Sequence, residues 1–172
     1  NWTGVKMSSK KVFVTVGTTK FDKLINAVTA PEVLQALSNR GYNHLILQIG
    51  KSSLDPDCSP RHGFRRIEYF NLSPSIQEQM TSADLVISHA GAGSCLEALE
   101  AKKPLIVVTN ELLMDNHQLE LAEQLYEDGH LYYCNPNTLL ELIQNMDLSK
   151  LKLFEGNKSD KIVAFIDRVM GF

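Results

Sequence analysis

Residues 89–94 read His89-Ala90-Gly91-Ala92-Gly93-Ser94, and Glu97 follows Ser94 at helical spacing. Small residues at the start of a helix leave backbone N–H groups open, and that end of a helix carries partial positive charge. The N–H groups of Gly93 and Ser94 are therefore suited to a diphosphate. A carboxylate one turn further in, Glu97, can accept two hydrogen bonds from a ribose diol. Beyond the next apolar run come Asn116-His117-Gln118. The carboxamides of Asn116 and Gln118 both donate and accept, which suits sugar hydroxyls. Diphosphate, ribose and sugar together describe a nucleoside diphosphate sugar. Plainer readings stand beside these. Ser94-x-x-Glu97 is also a capping box and Asp115-x-x-Gln118 a cap pattern, and both roles can hold at once. His89 at a strand end reads either as a proton acceptor or as a satisfied core histidine, and His117 as a proton acceptor or a solvent-facing residue.

The elements that must position these groups follow from hydrophobic pattern and turn chemistry. Residues 12–16 are β-branched and aromatic, a strand signal, and end in Gly17-Thr18-Thr19. Thr19 is placed to cap the next helix, with Asp22 at its third position. Phe21, Leu24, Ile25 and Val28 mark that helix's buried face, and Pro31 breaks or restarts it. Residues 44–49 form strand two and 64–70 strand three, with the irregular stretch 51–63 between them. Ser73-Pro74 has the form of an N-cap followed by proline. Strand four (85–87), a helix, strand five (105–108), a helix over 116–126, strand six (131–134) and a helix opened by Asn135-Pro136 complete the order. A last helix, 158–170, carries the apolar stripe Ile162, Val163, Phe165, Ile166, Val169 and Met170. Alternation of strand and helix implies an α/β, doubly wound parallel sheet, Rossmann-like, with strand order 3-2-1-4-5-6. In such sheets ligands bind at the carboxyl edge where the order reverses, so the turns after strands one and four should face each other.

Composition narrows the class. The chain has 172 residues, 44% hydrophobic and 22% charged, with a formal charge of -3, which gives no reason to expect nucleic-acid binding. Cys58, Cys95 and Cys134 are too far apart for a zinc site or a disulfide framework. No apolar run approaches the ~20 residues that span a bilayer. Residues 1–10 read as a disordered start or a cloning remnant, with Met7 as a natural first residue, and 11–172 as one sugar-nucleotide-binding domain. His44, His62 and His130 read as surface residues. Arg61, Arg65 and Arg66 read as a solvated cluster, or as a contact for an acidic partner or lipid phosphate.

Other ligands fit poorly. A dinucleotide fold needs G-x-G-x-x-G after strand one and an acid after strand two, and the chain has Gly17-Thr18-Thr19 and Gln48-Ile49-Gly50 there. There is no Walker A pattern, and Leu96 occupies the second glycine position of a nucleophile elbow.

Residues 85–118 resemble the donor-binding half of the inverting glycosyltransferases of GT-B type, such as the bacterial lipid II N-acetylglucosaminyltransferase. KVFVTVGTTKFDKLI at 11–25, LILQIG at 45–50 and MDNHQLELAEQL at 114–125 extend the likeness. They resemble the small catalytic subunit of the eukaryotic two-chain enzyme that adds the second N-acetylglucosamine to dolichol-diphosphate-linked GlcNAc. The resemblance implies UDP-GlcNAc as donor substrate and no cofactor. It implies that Gly17, Thr18 and Thr19 line the diphosphate side and that Gly91, Gly93 and Ser94 contact the phosphates. Glu97 would hold the ribose, Asn116 and Gln118 the sugar hydroxyls, and Phe70 would lie near the uracil. His89 stands where the bacterial relatives carry arginine.

A GT-B enzyme uses two such domains, and this sequence holds strands for one. The resemblance implies a membrane-anchored, acceptor-binding partner subunit that recruits the chain from the cytoplasm to the cytosolic face of the endoplasmic reticulum; the stripe with Ile162, Phe165, Ile166 and Val169 either docks that partner or packs on the chain's own sheet. The base that deprotonates the acceptor is His117, His89 or a group of the partner. No metal-binding set of carboxylates is evident. The alternative is a UDP-sugar-binding module without activity; an epimerase of the same fold would need both domains in one chain.

Overall fold

A computed structural model of the protein describes residues 9–110 and 116–154. The expected helix 158–170 and its stripe lie outside the described residues. The strands are β1 (Lys11–Thr15), β2 (His44–Gln48), β3 (Arg66–Phe70), β4 (Leu85–His89), β5 (Leu105–Val108) and β6 (Tyr132–Cys134). The helices are α1 (Asp22–Val28), α2 (Pro31–Asn39), α3 (Gln77–Ser82), α4 (Ala92–Glu100), α5 (Asn116–Glu127) and α6 (Leu139–Asn145), and a 3-10 turn covers Leu148–Lys150. These strands all pair in parallel and the order is β3-β2-β1-β4-β5-β6, as the sequence implies.

Alternation along the strands builds two cores. Val12, Val14, Leu45, Leu47, Leu85, Ile87, Ile106 and Val108 face α1, α2 and α6. Phe13, Val86, Leu105 and Val107 face α3, α4 and α5. Strands covered on both faces have to be apolar throughout, which is why 85–87 and 105–108 carry no alternation. Truncating a fully buried side chain such as Leu34 would cost about 2–5 kcal/mol.

Helix starts depart from the sequence reading. Thr19 does not cap α1. The N-cap is Phe21, without a side-chain bond, and the Thr19 hydroxyl donates to Val16 O at 2.8 Å. The Ser73-Pro74 pair lies ahead of its helix, which starts at Gln77, and the Ser73 hydroxyl donates to Ser75 O. Asn135-Pro136 forms a turn rather than a helix start: Asn135 Oδ1 accepts from the N–H groups of Asn137 and Thr138, and α6 begins at Leu139. These short polar residues satisfy local turns first. Pro31 behaves as expected, standing at the first position of α2.

One long-range contact had no sequence signal. Arg40, at the end of α2, donates from Nε to Ile143 O at 2.6 Å and from Nη2 to Met146 O at 2.5 Å, closing the carboxyl end of α6.

Candidate functional site

The carboxyl edge of the sheet gathers the turns after β1, β2, β3 and β4. Across one face of that edge runs a row in register: Ser88 beside Thr15, Thr15 beside Gln48, Gln48 beside Phe70. Ser88, Thr15 and Gln48 are buried. The layer below them is apolar, so the polar row forms a floor under the crevice where β1 and β4 send their chains to opposite faces.

The turn after β1 is closed on itself. Gly17 N–H donates to Gln48 Oε1 at 3.0 Å and to Thr15 Oγ1 at 3.2 Å, and Gly17 O accepts from Gln48 Nε2 at 2.7 Å. Thr19 N–H donates to Val16 O and Thr19 O accepts from Lys51 N–H. Gly17 has a φ of +65°, and Gly50, at +62°, packs where any Cβ would strike the carbonyl of Thr19. Only glycine takes both demands without strain. Thr18 is exposed, and its hydroxyl has no partner among the described residues.

The turn after β4 is open. Helix α4 starts at Ala92 with Gly91 as an extended N-cap and no side-chain cap. The capping box is therefore not formed: Ser94 is the third helical residue, and Glu97 lies beyond the first turn. Among the described residues the N–H groups of Ala92, Gly93 and Ser94 have no acceptor. A Cβ on Gly93 would meet nothing within 4 Å. Glu97 is exposed, three residues beyond Ser94 and so on the same helix face, about 4.5 Å along the axis. Its carboxylate has no partner among the described residues.

His89 joins the two turns. Its Nε2 is 2.7 Å from where a Cβ on Gly17 would be, and a Cβ on Gly91 would overlap the ring. Ser94 Oγ lies 3.4 Å from the same nitrogen. Burial of the ring pushes its pKa down to about 4, so the imidazole is neutral at pH 7. Cys95 packs beneath, its Sγ 3.6 Å from His89 O, and burial pushes its thiol up to about 12. Such a thiol is inert as a nucleophile.

Of the residues singled out from sequence, the structure brings together Gly17, His89, Gly91 and Ser94, with Thr18 and Glu97 at the rim. Phe70 lies at the end of β3, two strands from β1, half-buried against the core of α3 and α4. Asn116 opens α5 and Gln118 is half-buried on it. The side chains of Asn116 and His117, and all of Asp115, lie outside the described residues. At the same edge a small polar recess of about 90 Å³ is lined by Phe21, Lys23, Thr109, Asn110 and residues 135–137. Among the described residues no group of three His, Cys, Asp or Glu could hold a metal ion.

Two histidines read as surface are not. His44 is buried and its Nε2 is 2.6 Å from Glu68 Oε2, at the opposite edge of the sheet. Burial would raise the Glu68 carboxyl, but the His44 hydrogen bond and the Arg66 charge outweigh it and hold it below the usual range. His130 is half-buried, its Nδ1 3.0 Å from Lys152 O and its ring edge-on to Phe154. Gln48 was missed as well, although an amide within the apolar run of 45–49 is its one visible sign.

The model of the glycosyltransferase family 28 C-terminal domain matches residues 11–169. The UDP-N-acetylglucosamine transferase subunit ALG13 of Homo sapiens is 55% identical over 130 residues, 76% of this chain and 11% of that protein. ALG13 of Saccharomyces cerevisiae is 33% identical over 181 residues, covering 86% of this chain and 90% of the relative. The chain thus spans a small part of the human relative's length and most of the yeast one's. An NMR solution structure of ALG13 superposes with a TM-score of 0.69 at 29% identity, covering 94% of this chain and 96% of that one. The crystal structure of Acinetobacter baumannii MurG shares the fold, with a TM-score of 0.60 at 18% identity over 84% of this chain and 43% of that one.

Proposed function

The chain belongs to the glycosyltransferase family 28 C-terminal domains and, among them, to the ALG13 family of transferase subunits, and from that premise we propose that it is the donor-binding, catalytic half of a two-chain inverting N-acetylglucosaminyltransferase. Its donor is UDP-GlcNAc and its acceptor N-acetylglucosaminyl-diphosphodolichol. The observation that carries this reading is the uncapped start of α4, which opens beside a neutral imidazole at the reversal point of the sheet.

In this proposal the N–H groups of Gly93 and Ser94, with Gly91 extended ahead of them, take the diphosphate. The Ser94 hydroxyl adds a donor, and Gly17, Thr18 and Thr19 form the opposite wall. Glu97 accepts from the ribose diol, Phe70 flanks the uracil side, and Asn116 and Gln118 read the GlcNAc hydroxyls. The acceptor oxygen attacks the anomeric carbon from the face opposite UDP. The bond to the β-phosphate oxygen breaks with its electron pair, and the helix start stabilises the charge that develops there. This displacement transfers no electrons to a carrier, so the proposal includes no cofactor.

The acceptor's proton needs a base matched to neutral pH. His89, held near 4, is a poor match and is assigned to hydrogen bonding. His117 or a group of the second chain takes the proton.

The acceptor wall is assigned to a membrane-anchored partner subunit, docked through Ile162, Phe165, Ile166 and Val169, which holds the chain at the cytosolic face of the endoplasmic reticulum. The name "subunit" of its relatives supports a second chain. Among the described residues no helix is long and apolar enough to cross a membrane. The test is GlcNAc transfer to the lipid-linked acceptor with the partner present, comparing UDP-GlcNAc with UDP-glucose. Transfer from UDP-GlcNAc, lost in Glu97→Ala and Gln118→Ala variants that still fold, is the expected result. Tight donor binding with no transfer would reduce the chain to a binding module.

A further inference from the structure

Gln48 ends β2 with its side chain buried, yet it makes five hydrogen bonds. Oε1 accepts from Thr15 Oγ1 at 2.5 Å, from Gly17 N–H at 3.0 Å and from Val16 N–H at 3.2 Å. Nε2 donates to Gly17 O at 2.7 Å and to Asn71 O at 2.8 Å. The orientation of the amide is fixed by its neighbours, since a flip would turn its oxygen toward two carbonyls. Asn71 extends the network, donating from Nδ2 to Gly50 O and Ser52 O, each at 3.0 Å. One carboxamide therefore ties the turn after β1 to the segments that follow β2 and β3. A carboxylate or an aliphatic side chain of the same length could not make both sets of bonds.

We propose that Gln48 is a positioning residue for donor binding: it locks the Gly17-Thr18-Thr19 turn in its left-handed shape, so that the wall facing the start of α4 is built before the diphosphate arrives. This rests on the proposed function above. Gln48 does not touch the donor, because both of its amide hydrogens and its oxygen are already engaged. The site reached from sequence as lacking the dinucleotide acid instead carries the group that shapes the crevice. A turn fixed in advance spares the ordering entropy that a mobile wall would lose on binding.

The test uses the full chain and two variants, Gln48→Met, which keeps the length and removes every bond, and Thr15→Val, which removes one hydroxyl. Leu34→Ala, in the core on the other face of the sheet, controls for general destabilisation. Amide exchange at Gly17 and NMR titrations with UDP-GlcNAc and with uridine are measured for each. In Gln48→Met, Gly17 exchange should speed up and UDP-GlcNAc affinity fall by about tenfold, the factor for loss of one or two net hydrogen bonds. Uridine affinity should change less than about twofold, since uridine lacks the diphosphate that meets this wall. Thr15→Val should move the same readouts in the same direction by about threefold, which keeps the question answerable if Gln48→Met does not fold. Leu34→Ala should leave the ratio of UDP-GlcNAc to uridine affinity unchanged. Wild-type binding that both variants leave unaltered would overturn the role of Gln48 alone. An equal loss of both ligands, or the same loss in Leu34→Ala, would make it a stability residue and overturn the proposal. No UDP-GlcNAc binding by the wild type would overturn the proposed function itself.

Discussion

Two turns meet at the reversal point of the sheet, and they are built on opposite principles. After β1, the N–H and C=O of Gly17, the N–H and hydroxyl of Thr19 and the carbonyl of Thr19 are all engaged within the chain. After β4, three successive N–H groups have no acceptor among the described residues, and the glycine in their midst faces open space. A buried donor left unpaired would cost about 1–3 kcal/mol, so an open set of donors persists only where water or a ligand can reach it. The saturated turn holds its own shape, and the unsaturated turn leaves donors for something outside the described residues. The His89 ring lies against both turns, so that a Cβ on either Gly17 or Gly91 would meet it.

The sharpest way to break that contrast is to place a methyl group on each glycine. Gly17→Ala forces a positive φ and pushes a Cβ into His89, so it should lose about 3 kcal/mol in urea unfolding, from backbone strain and overpacking together. Gly91→Ala should lose a similar amount through the ring overlap. Equal stability of Gly17→Ala and wild type would mean that the closed turn is not closed.

Next in size is the carboxylate at the rim. Glu97→Ala should leave unfolding free energy within about 0.5 kcal/mol, since its side chain is exposed. UDP-GlcNAc affinity, read by calorimetry, should fall by about 10- to 100-fold, the loss for a charge-assisted pair of hydrogen bonds. A stability loss with intact binding would return Glu97 to a structural role.

The bridging ring carries a pH signature. In the folded chain its pKa sits at about 4 against the ordinary 6.5. Between those values the unfolded chain binds the extra proton, so stability falls as the pH drops from 6.5 toward 4. His89→Asn should remove this component. Its loss of stability between pH 7.5 and 4.5 should be smaller than the wild type's by about 2 kcal/mol. Parallel pH curves would mean that the ring titrates normally and is not enclosed by the two turns.

The smallest effect on stability belongs to Gly93→Ala. It should unfold within about 0.5 kcal/mol of wild type, or be slightly more stable, because alanine favours helix and the space is open. Its donor affinity should still fall, since in the proposed site the added methyl would stand between a phosphate and the backbone. Unchanged affinity would move the ligand away from α4.

The sheet could be read from sequence because its central strands are buried on both faces and must be apolar, as at 85–87 and 105–108. The strand order and the place of the two turns followed from the alternation of strand with helix. The helix caps could not be read. Thr19, Ser73 and Ser94 each have the right chemistry, but Thr19 and Ser73 close local turns and Ser94 meets the His89 ring instead of making the expected cap. Gln48, Arg40 and His44 were hidden for another reason. Their partners are distant in the chain, and a single polar letter says nothing about what it will meet. The glycine run was legible because its spacing is local, and the open N–H groups at the start of α4 follow from it directly. The roles of Asn116, His117 and Gln118 rest on the resemblance and on the order of their side chains in sequence.

The most direct measurement is an amide NMR titration of the full chain with UDP-GlcNAc. The largest shifts are expected at the N–H groups of Ala92, Gly93 and Ser94, with the already engaged amides of Gly17 and Thr19 moving far less. Largest shifts elsewhere, for instance along β6 at Tyr132 and Tyr133, with Gly93 and Ser94 unmoved, would contradict it.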